Sequence, residues 1–490
     1  MEKYRYTTLL LALLLAAGTM LAGCGGNETA DTGHSAETIP ADTTTETTAD
    51  EDSYVPHNIP SDLKFGGADF HMLSPDEYGG ISMVEEANGE VLNDAKFQME
   101  LNTEEALDVV ITETPSPFWD MVTTVNALAM SGDGTYDCIT MMDRFALQCA
   151  QQSCFMPIQD VDYIDLSKIY WGGDLSDTLT VGGNSYFAIS SFNLKSFEDT
   201  SCIYFNTTLG DDLGVKAPTE LVYSGTWTMD ALLQLADGIS SDLNGDGAMT
   251  EADRFAFGAI DQRPIAASFW IASDELVVHK DDKDIPYVAA YGSEKFVSIL
   301  EWVYKVFYQS GDMILGLPEN DLSSIFLFME GQELMSIANF RIIGDLREME
   351  DNFTILPMPK YDIAQANYVS RTFDSMFSMV PVAAKDSALS GAVLEVLSCE
   401  GYNHMLPAYL ETSLQEKYSR DSDSVQCIQI CFDTRRIDLA EVFMFDVFGD
   451  QFIYDKLMNT ASLGVTSYLD SQSKIIDKAV SDFVELMTGE

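Results

Sequence analysis

Residues 68–73 read ADFHML, residues 91–107 read VLNDAKFQMELNTEEAL, residues 109–111 read VVI and residues 136–142 read YDCITMM. This succession decides the fold. The first, third and fourth stretches are short apolar runs of the kind that suit buried strands. The second carries apolar residues at 92, 95, 97, 99, 101 and 106, a helical spacing that stops before Val109. A further helix over 118–131 precedes the YDCITMM strand, and a short one follows near 143–152. Strands alternating with helices of this length predict βαβ units and a mainly parallel sheet, an α/β fold. In such sheets ligands lie where loops leave the carboxyl ends of the strands. That points to Ser74-Pro75 after the first strand and to Met142-Asp143 after the strand at 136–142.

Further along, helices are predicted at 228–240, 293–309, 321–332, 386–398 and 471–488, with strands near 353–358 and 376–383. Thr228, next to Trp227, is placed to cap the first of these. There is no tandem repeat of 20–50 residues. The chain has 490 residues, a hydrophobic fraction of 46% and 79 Asp+Glu against 26 Lys+Arg, a formal charge of −53. That length suits roughly two to four domains, and the apolar content is ample for a packed core. The negative charge repels phosphate, which excludes nucleic acid and anionic lipid surfaces as partners and favours a neutral or cationic small molecule.

The amino-terminal segment reads as an address. Lys3 and Arg5 precede the apolar run 9–15, which with its flanks is too short to span a bilayer comfortably, so 1–23 reads as a signal peptide. It ends at Leu21-Ala22-Gly23-Cys24, which looks like a bacterial lipobox; the sulfur of Cys24 would then carry the lipid, and an N-acyl chain would complete the anchor. Residues 25–62 hold eight Thr, nine Asp/Glu and no Lys or Arg. They read, with Cys24, as a disordered acidic tether from 24 to 62 that spaces a folded body away from the membrane.

Residues 242–253 carry the sharpest chemistry. Asp242, Asn244, Asp246, Thr250 and Asp253 occupy positions 1, 3, 5, 9 and 12 of a loop, with Gly247 at position 6 and the Ala248 carbonyl at 7. This is the Ca²⁺ spacing of an EF-hand, with a shorter Asp in place of the usual last Glu as in dockerin-type loops. It predicts a structural Ca²⁺ ion; the plainer alternative is a solvated Asn-Gly-Asp-Gly turn. No catalytic motif of the GxSxG, HExxH, GxxxxGK[ST] or CxxC type occurs, and no pair of carboxylates is singled out. No catalytic residue is assigned. Besides Cys24 there are seven cysteines, Cys138, Cys149, Cys154, Cys202, Cys399, Cys427 and Cys431, an odd number expected to be mostly free buried thiols. Among the tryptophans, Trp302 reads as core, while Trp171, beside two glycines, and Trp270 are candidates for stacking on a sugar ring.

Several further segments stand in a telling order: Leu92-Asn93-Asp94-Ala95, Tyr136-Asp137, Met156-Pro157-Ile158-Gln159-Asp160, Tyr186-Phe187-Ala188-Ile189, Tyr204-Phe205-Asn206, Gly225-Thr226-Trp227, Phe328-Met329-Glu330-Gly331-Gln332 and Leu356-Pro357-Met358-Pro359-Lys360. With them, and with the insert carrying the Ca²⁺-type loop, the chain resembles the family-1 extracellular solute-binding lipoproteins of ABC importers, which mostly serve sugars. The resemblance implies a two-lobe periplasmic-binding-protein-like fold of type II, with hinge crossings near 145–150, near 372–383 and after about 430. One lobe would then comprise 63–147 with about 375–430, the other 148–372 with about 431–490. It implies ligand contacts at Ser74, Asp143, Ser190, Ser191, Asn339, Phe340 and Asp374, with Phe340 where relatives stack a tryptophan. It also implies a monomer on the extracellular face of the cell membrane that hands a carbohydrate to permease subunits without altering it. A surface-anchored carbohydrate-active hydrolase is the alternative class. A Ca²⁺-dependent adhesion module would need a second copy of the loop, and the sequence has one.

Overall fold

The computed structural model describes residues 54–314, 323–415, 422–443 and 463–489. Cys24, the signal segment and most of the tether lie outside the described residues. By internal contacts the chain forms two units, Met1–His57 and Asn58–Glu490; of the first, only the irregular residues 54–57 are described. The second begins inside the segment expected to be a tether. Ile59 is buried, and the Asn58 amide donates to Asp165 Oδ2 at 3.1 Å while its Oδ1 accepts from Lys168 Nζ at 3.1 Å. These contacts fasten the last residues of the segment to the body.

In chain order the strands among the described residues are β1 (Ala68–Pro75), β2 (Val109–Ser116), β3 (Cys138–Met142), β4 (Ser201–Asn206), β5 (Phe255–Ala259), β6 (Val278–Lys280), β7 (Pro286–Val288), β8 (Glu333–Asn339), β9 (Phe353–Leu356), β10 (Ser370–Arg371), β11 (Met376–Met379) and β12 (Arg435–Arg436). They build two four-stranded sheets, ordered β11-β3-β1-β2 and β5-β8-β4-β9, and two small ribbons. Each large sheet is the centre of a lobe. In the first, β1 runs parallel to β2 and β3, and β11 closes the edge antiparallel to β3. The helices Val91–Leu107, Ser387–Glu400 and Leu406–Gln415 pack together over it. Helix Met121–Ser131 stops where Gly132 takes φ 66°, a conformation glycine adopts without steric cost, and its N–H closes on Ala129 O.

The second sheet departs from the expected parallel arrangement: β4 is antiparallel to both β8 and β9, and β5–β8 is its parallel pair. Strands β4, β5 and β8 are buried along their whole length. Buried on both faces, they show no apolar–polar alternation from which a strand could be recognised, let alone its direction. Thr228 caps helix Met229–Ala236 as expected, its Oγ1 accepting from Ala231 N at 3.3 Å. Trp227 turns inward and donates its Nε1–H to Pro357 O at 2.9 Å.

Among the described residues two antiparallel chain segments can be followed from lobe to lobe. Residues 188–200 leave the first sheet at the Ala188–Ser378 bridge and reach β4 beside the Thr200–Thr372 bridge; residues 370–379 run the opposite way. The first of these crossings lies well beyond the 145–150 expected. After β3 the chain stays with the first lobe, held by the Phe155–Pro381 bridge and by Glu395 of helix Ser387–Glu400. That carboxylate accepts from Tyr170 Oη at 2.5 Å, Trp171 Nε1 at 2.7 Å and Asp165 N at 3.2 Å. Helix Ser422–Asp433 packs on β9 in the second lobe, so the last return also precedes residue 430.

Candidate functional site

Both sheets turn strand ends toward the same cleft, of about 520 Å³. On the first lobe the lining follows the carboxyl ends of strands: Tyr78 after β1, Phe118 and Trp119 after β2, Met142 to Arg144 at the end of β3. On the second lobe Asp261 and Arg263 follow β5, and Asn339 ends β8. Ser201 opens β4, whose reversed direction brings its amino end to the same side. Lys195, Asp199, Arg371, Phe373 and Asp374 line it from the crossings.

Two chemistries face each other there. The first lobe offers an aromatic lip. Phe118 is buried and packs against Tyr78 (ring centroids 4.5 Å), Trp119 (4.9 Å) and Phe145 (5.2 Å). Trp119 is 70% exposed, whereas Trp171, Trp227 and Trp270 are fully buried. An indole held by a buried ring yet open to water is a preorganised stacking face.

The rest of the lining mixes apolar and neutral polar residues with a balanced set of charges, five bases and five acids. Arg371 and Glu441 form a buried pair, with Nε 2.9 and 3.0 Å from the two carboxylate oxygens, and the guanidinium lies over Phe373 at 3.9 Å. Arg263 Nε reaches both oxygens of Asp261 at 2.9 and 2.8 Å. Lys195 pairs with Asp199, which also accepts from Asn339 Nδ2 at 3.0 Å and lies 3.8 Å from Arg341 Nε. Burial holds the Lys195 ammonium down, to about 8. Arg144 pairs with Asp374, a residue in the left-handed region at φ 48°. Beside them Asp143 opens helix Asp143–Ala150, its Oδ1 accepting from Arg144 N at 2.6 Å. Burial, and then the Asp374 carboxylate, push the Asp143 carboxyl up to about 7. Asn339 Oδ1 is buried with no hydrogen-bond partner among the described residues.

Four of the five acids are ion-paired and Asp143 is raised toward neutrality, so the lining carries little net charge and suits an uncharged ligand rich in hydroxyls. Each paired carboxylate or guanidinium keeps lone pairs or N–H groups for a hydroxyl, and its partner holds it in place.

Of the residues singled out in the sequence, Met142, Asp143, Asn339 and Asp374 line the cleft. The others lie elsewhere. Ser74 is buried inside β1, donating to Glu113 Oε1 at 2.5 Å and accepting from Thr140 Oγ1 at 2.8 Å. Trp171 is a core residue bonded to Glu395, and Trp270 sits on the wholly buried helix Ile265–Ala272 with Phe296 at 5.6 Å. Glycines beside Trp171 relieve the backbone without exposing the ring. Ser190 and Ser191 fasten the crossing, Ser190 Oγ to Ser378 Oγ at 3.0 Å and Ser191 Oγ to Tyr170 O at 2.9 Å. Phe340 alternates inward from Asn339 and packs on Phe432 at 4.6 Å.

The lip escapes the sequence reading because β2 runs on to Ser116, five residues past the apolar run 109–111, and only that longer strand puts Phe118 and Trp119 just beyond a strand end. Arg371 and Glu441 are 70 residues apart, with no local motif to link them.

The loop 242–253 folds back on itself. Asp242 accepts from Gly245 N and Gly247 N at 2.6 and 2.8 Å, Asn244 from Asp246 N at 2.8 Å, and Asp246 from Ala248 N at 2.8 Å. Asp253 is buried and accepts from Leu243 N and Thr250 N, and these bonds to N–H hold its carboxyl below the usual range. Among the described residues no three His, Cys, Asp or Glu side chains gather as a metal cage. The side-chain oxygens are turned inward but engaged with N–H groups of the loop. The seven cysteines among the described residues are all buried thiols outside any disulfide.

No protein-family model and no curated protein matches the sequence. Solved structures do match in fold. The sugar-binding protein MalE from Xanthomonas citri aligns with TM-score 0.59 at 12% identity, covering 86% of this chain and 100% of that one. M. tuberculosis UspC aligns with TM-score 0.56 at 12% identity over 84% and 100%. An ABC substrate-binding protein from Listeria monocytogenes, in complex with cycloalternan, aligns with TM-score 0.54 at 15% identity over 85% and 99%. The chain has the two-lobe periplasmic-binding-protein fold of these proteins.

Proposed function

We propose that this protein is the solute-binding component of an ABC importer, holding an uncharged carbohydrate between its lobes and delivering it unaltered to the permease. The observation that carries the reading is the cleft itself. One wall is an open aromatic face, and across from it a charge-balanced set of hydrogen-bonding side chains stands among apolar ones. Stacking covers the apolar face of a pyranose ring, and planar polar groups take its hydroxyls. The fold shared with a sugar-binding MalE and with a cycloalternan complex supports it. Lipid attachment at Cys24, a place on the extracellular face of the membrane and Ca²⁺ in the loop 242–253 belong to the same proposal and rest on sequence spacing.

Titration calorimetry of the mature chain against maltooligosaccharides, cycloalternan and simple hexoses tests it. Saturable one-to-one binding of one of these is the expected result, and no heat from any carbohydrate overturns it. Metabolic labelling with an alkyne fatty acid, with and without Cys24→Ala, tests the anchor.

A hydrolase has one observation in its favour. Asp143, its carboxyl raised to about 7 by burial and then by the Asp374 carboxylate, lines the same cleft as Asp374, and glycosidases use a raised acid with a second carboxylate. Recovery of the bound sugar intact after prolonged incubation decides between the two.

A further inference from the structure

The lip residue Tyr78 belongs to the loop 76–83, which is fastened at three places. At its start Asp76 N–H donates to Ser116 O at 2.9 Å, and Asp76 Oδ1 accepts from Phe118 N at 3.0 Å. At its end the N–H groups of Ser82 and Met83 donate to Glu113 Oε2 at 2.9 and 2.8 Å. Both of these anchors lie within the first lobe. The third lies outside it. Asn193 Nδ2 donates to Gly79 O at 3.0 Å and Ser82 Oγ at 3.0 Å, with Gly80 O at 3.4 Å. Asn193 stands in the crossing segment 188–200.

Asn193 has no freedom to do otherwise. It is buried, and its Oδ1 accepts from Lys195 N at 2.9 Å, which fixes which end of the amide faces the loop. The loop in turn needs a clamp. Tyr78 and Gly79 are both left-handed, at φ 57° and 72°. Glycine takes this region freely, but a tyrosine stays there only when its surroundings hold it. The ends of the loop are held six residues apart, at Asp76 and Ser82, and the two carbonyls that follow Tyr78 are the groups that Asn193 grips.

We infer that Asn193 is the positioning residue of the aromatic lip: from the crossing, its amide holds the Tyr78–Gly80 turn so that the Tyr78 ring lies against Phe118 at the cleft. This rests on the reading that the lip meets the ligand, and it adds a residue that touches no ligand itself. The side chain acts through two backbone carbonyls and a hydroxyl, so Asn193→Ala releases the turn while leaving Tyr78, Phe118 and Trp119 in place in the sequence.

The experiment has one arm without ligand and one with it. Hydrogen exchange of the mature chain is followed in peptides covering residues 76–83 and, as control, residues 138–142. Asn193→Ala is expected to speed exchange in 76–83 at least tenfold and to leave the control unchanged; Ser82→Ala gives a smaller effect in the same direction. Unchanged exchange in 76–83 overturns the inference. If Asn193→Ala fails to fold, Ser82→Ala decides by the same criterion. In the second arm maltotriose is titrated into wild type, Asn193→Ala, Tyr78→Ala and the double variant. Asn193→Ala is expected to weaken binding about tenfold alone and not at all in the Tyr78→Ala background. An equal loss in both backgrounds overturns it. If wild type binds no carbohydrate, the proposed function falls while the exchange arm still decides this inference.

Discussion

Arg371 on one crossing and Glu441 on helix Leu439–Phe443 form a two-point ion pair at the cleft, and both side chains are buried. Such a pair gains little over an apolar one, but either ion left alone is costly, because its charge has lost water and gained nothing. Glu441→Ala should therefore lower the free energy of unfolding by about 3–5 kcal/mol. Arg371→Met with Glu441→Leu should recover most of that. Urea denaturation of the three chains is the check.

Trp119 and Trp171 should respond in opposite ways. Trp119→Ala removes an exposed ring, so stability stays within about 0.5 kcal/mol while sugar affinity falls about tenfold. Trp171→Phe removes a donor from the buried Glu395 carboxylate and should cost about 1–3 kcal/mol of stability with affinity unchanged. Calorimetric titration beside thermal unfolding separates the two effects.

Glu333 at the start of β8 is fully buried, and neither carboxylate oxygen has a hydrogen-bond partner among the described residues. Burial raises it from 4.5 to about 8. Between those values the folded chain keeps a proton that the unfolded chain has released. This group's contribution therefore falls as pH rises from about 4.5 to about 8, and is level on either side. Glu333→Gln should flatten that slope and leave the variant relatively most stable above pH 8. Urea midpoints at pH 5, 6.5 and 8.5 measure it.

For the loop 242–253, Ca²⁺ at about ten times a Kd near 10⁻³ M should add about 1.4 kcal/mol of stability. Asp246→Ala should cancel the gain. Thermal melts in Ca²⁺ and in chelator provide the comparison.

The first lobe was far more legible in the sequence than the second. Strands β1 and β3 are short apolar runs around a helix with clear spacing, and Thr228 signalled a helix start. In the second lobe β4, β5 and β8 are buried on both faces, and that removes the alternation by which a strand is read. Without β5, nothing marked Asp261 and Arg263 as residues at a strand end. The site was legible where one residue closes one strand, as with Asp143. It was illegible where two distant segments supply one feature, as with Arg371 and Glu441, or where a side chain works through another loop's carbonyls, as with Asn193.

Strand β11 covers the outer edge of β3 with residues Met376–Met379, made long after the rest of that sheet. A chain delivered amino end first, from a ribosome or through a membrane pore, therefore holds β3 with bare N–H and C=O groups until residue 376 has emerged. Any product cut short before that point carries an open, apolar edge ready to join another copy. Its quality control is thus a matter of arrival: three-quarters of the chain must be present before the earliest-made sheet is safe from aggregation.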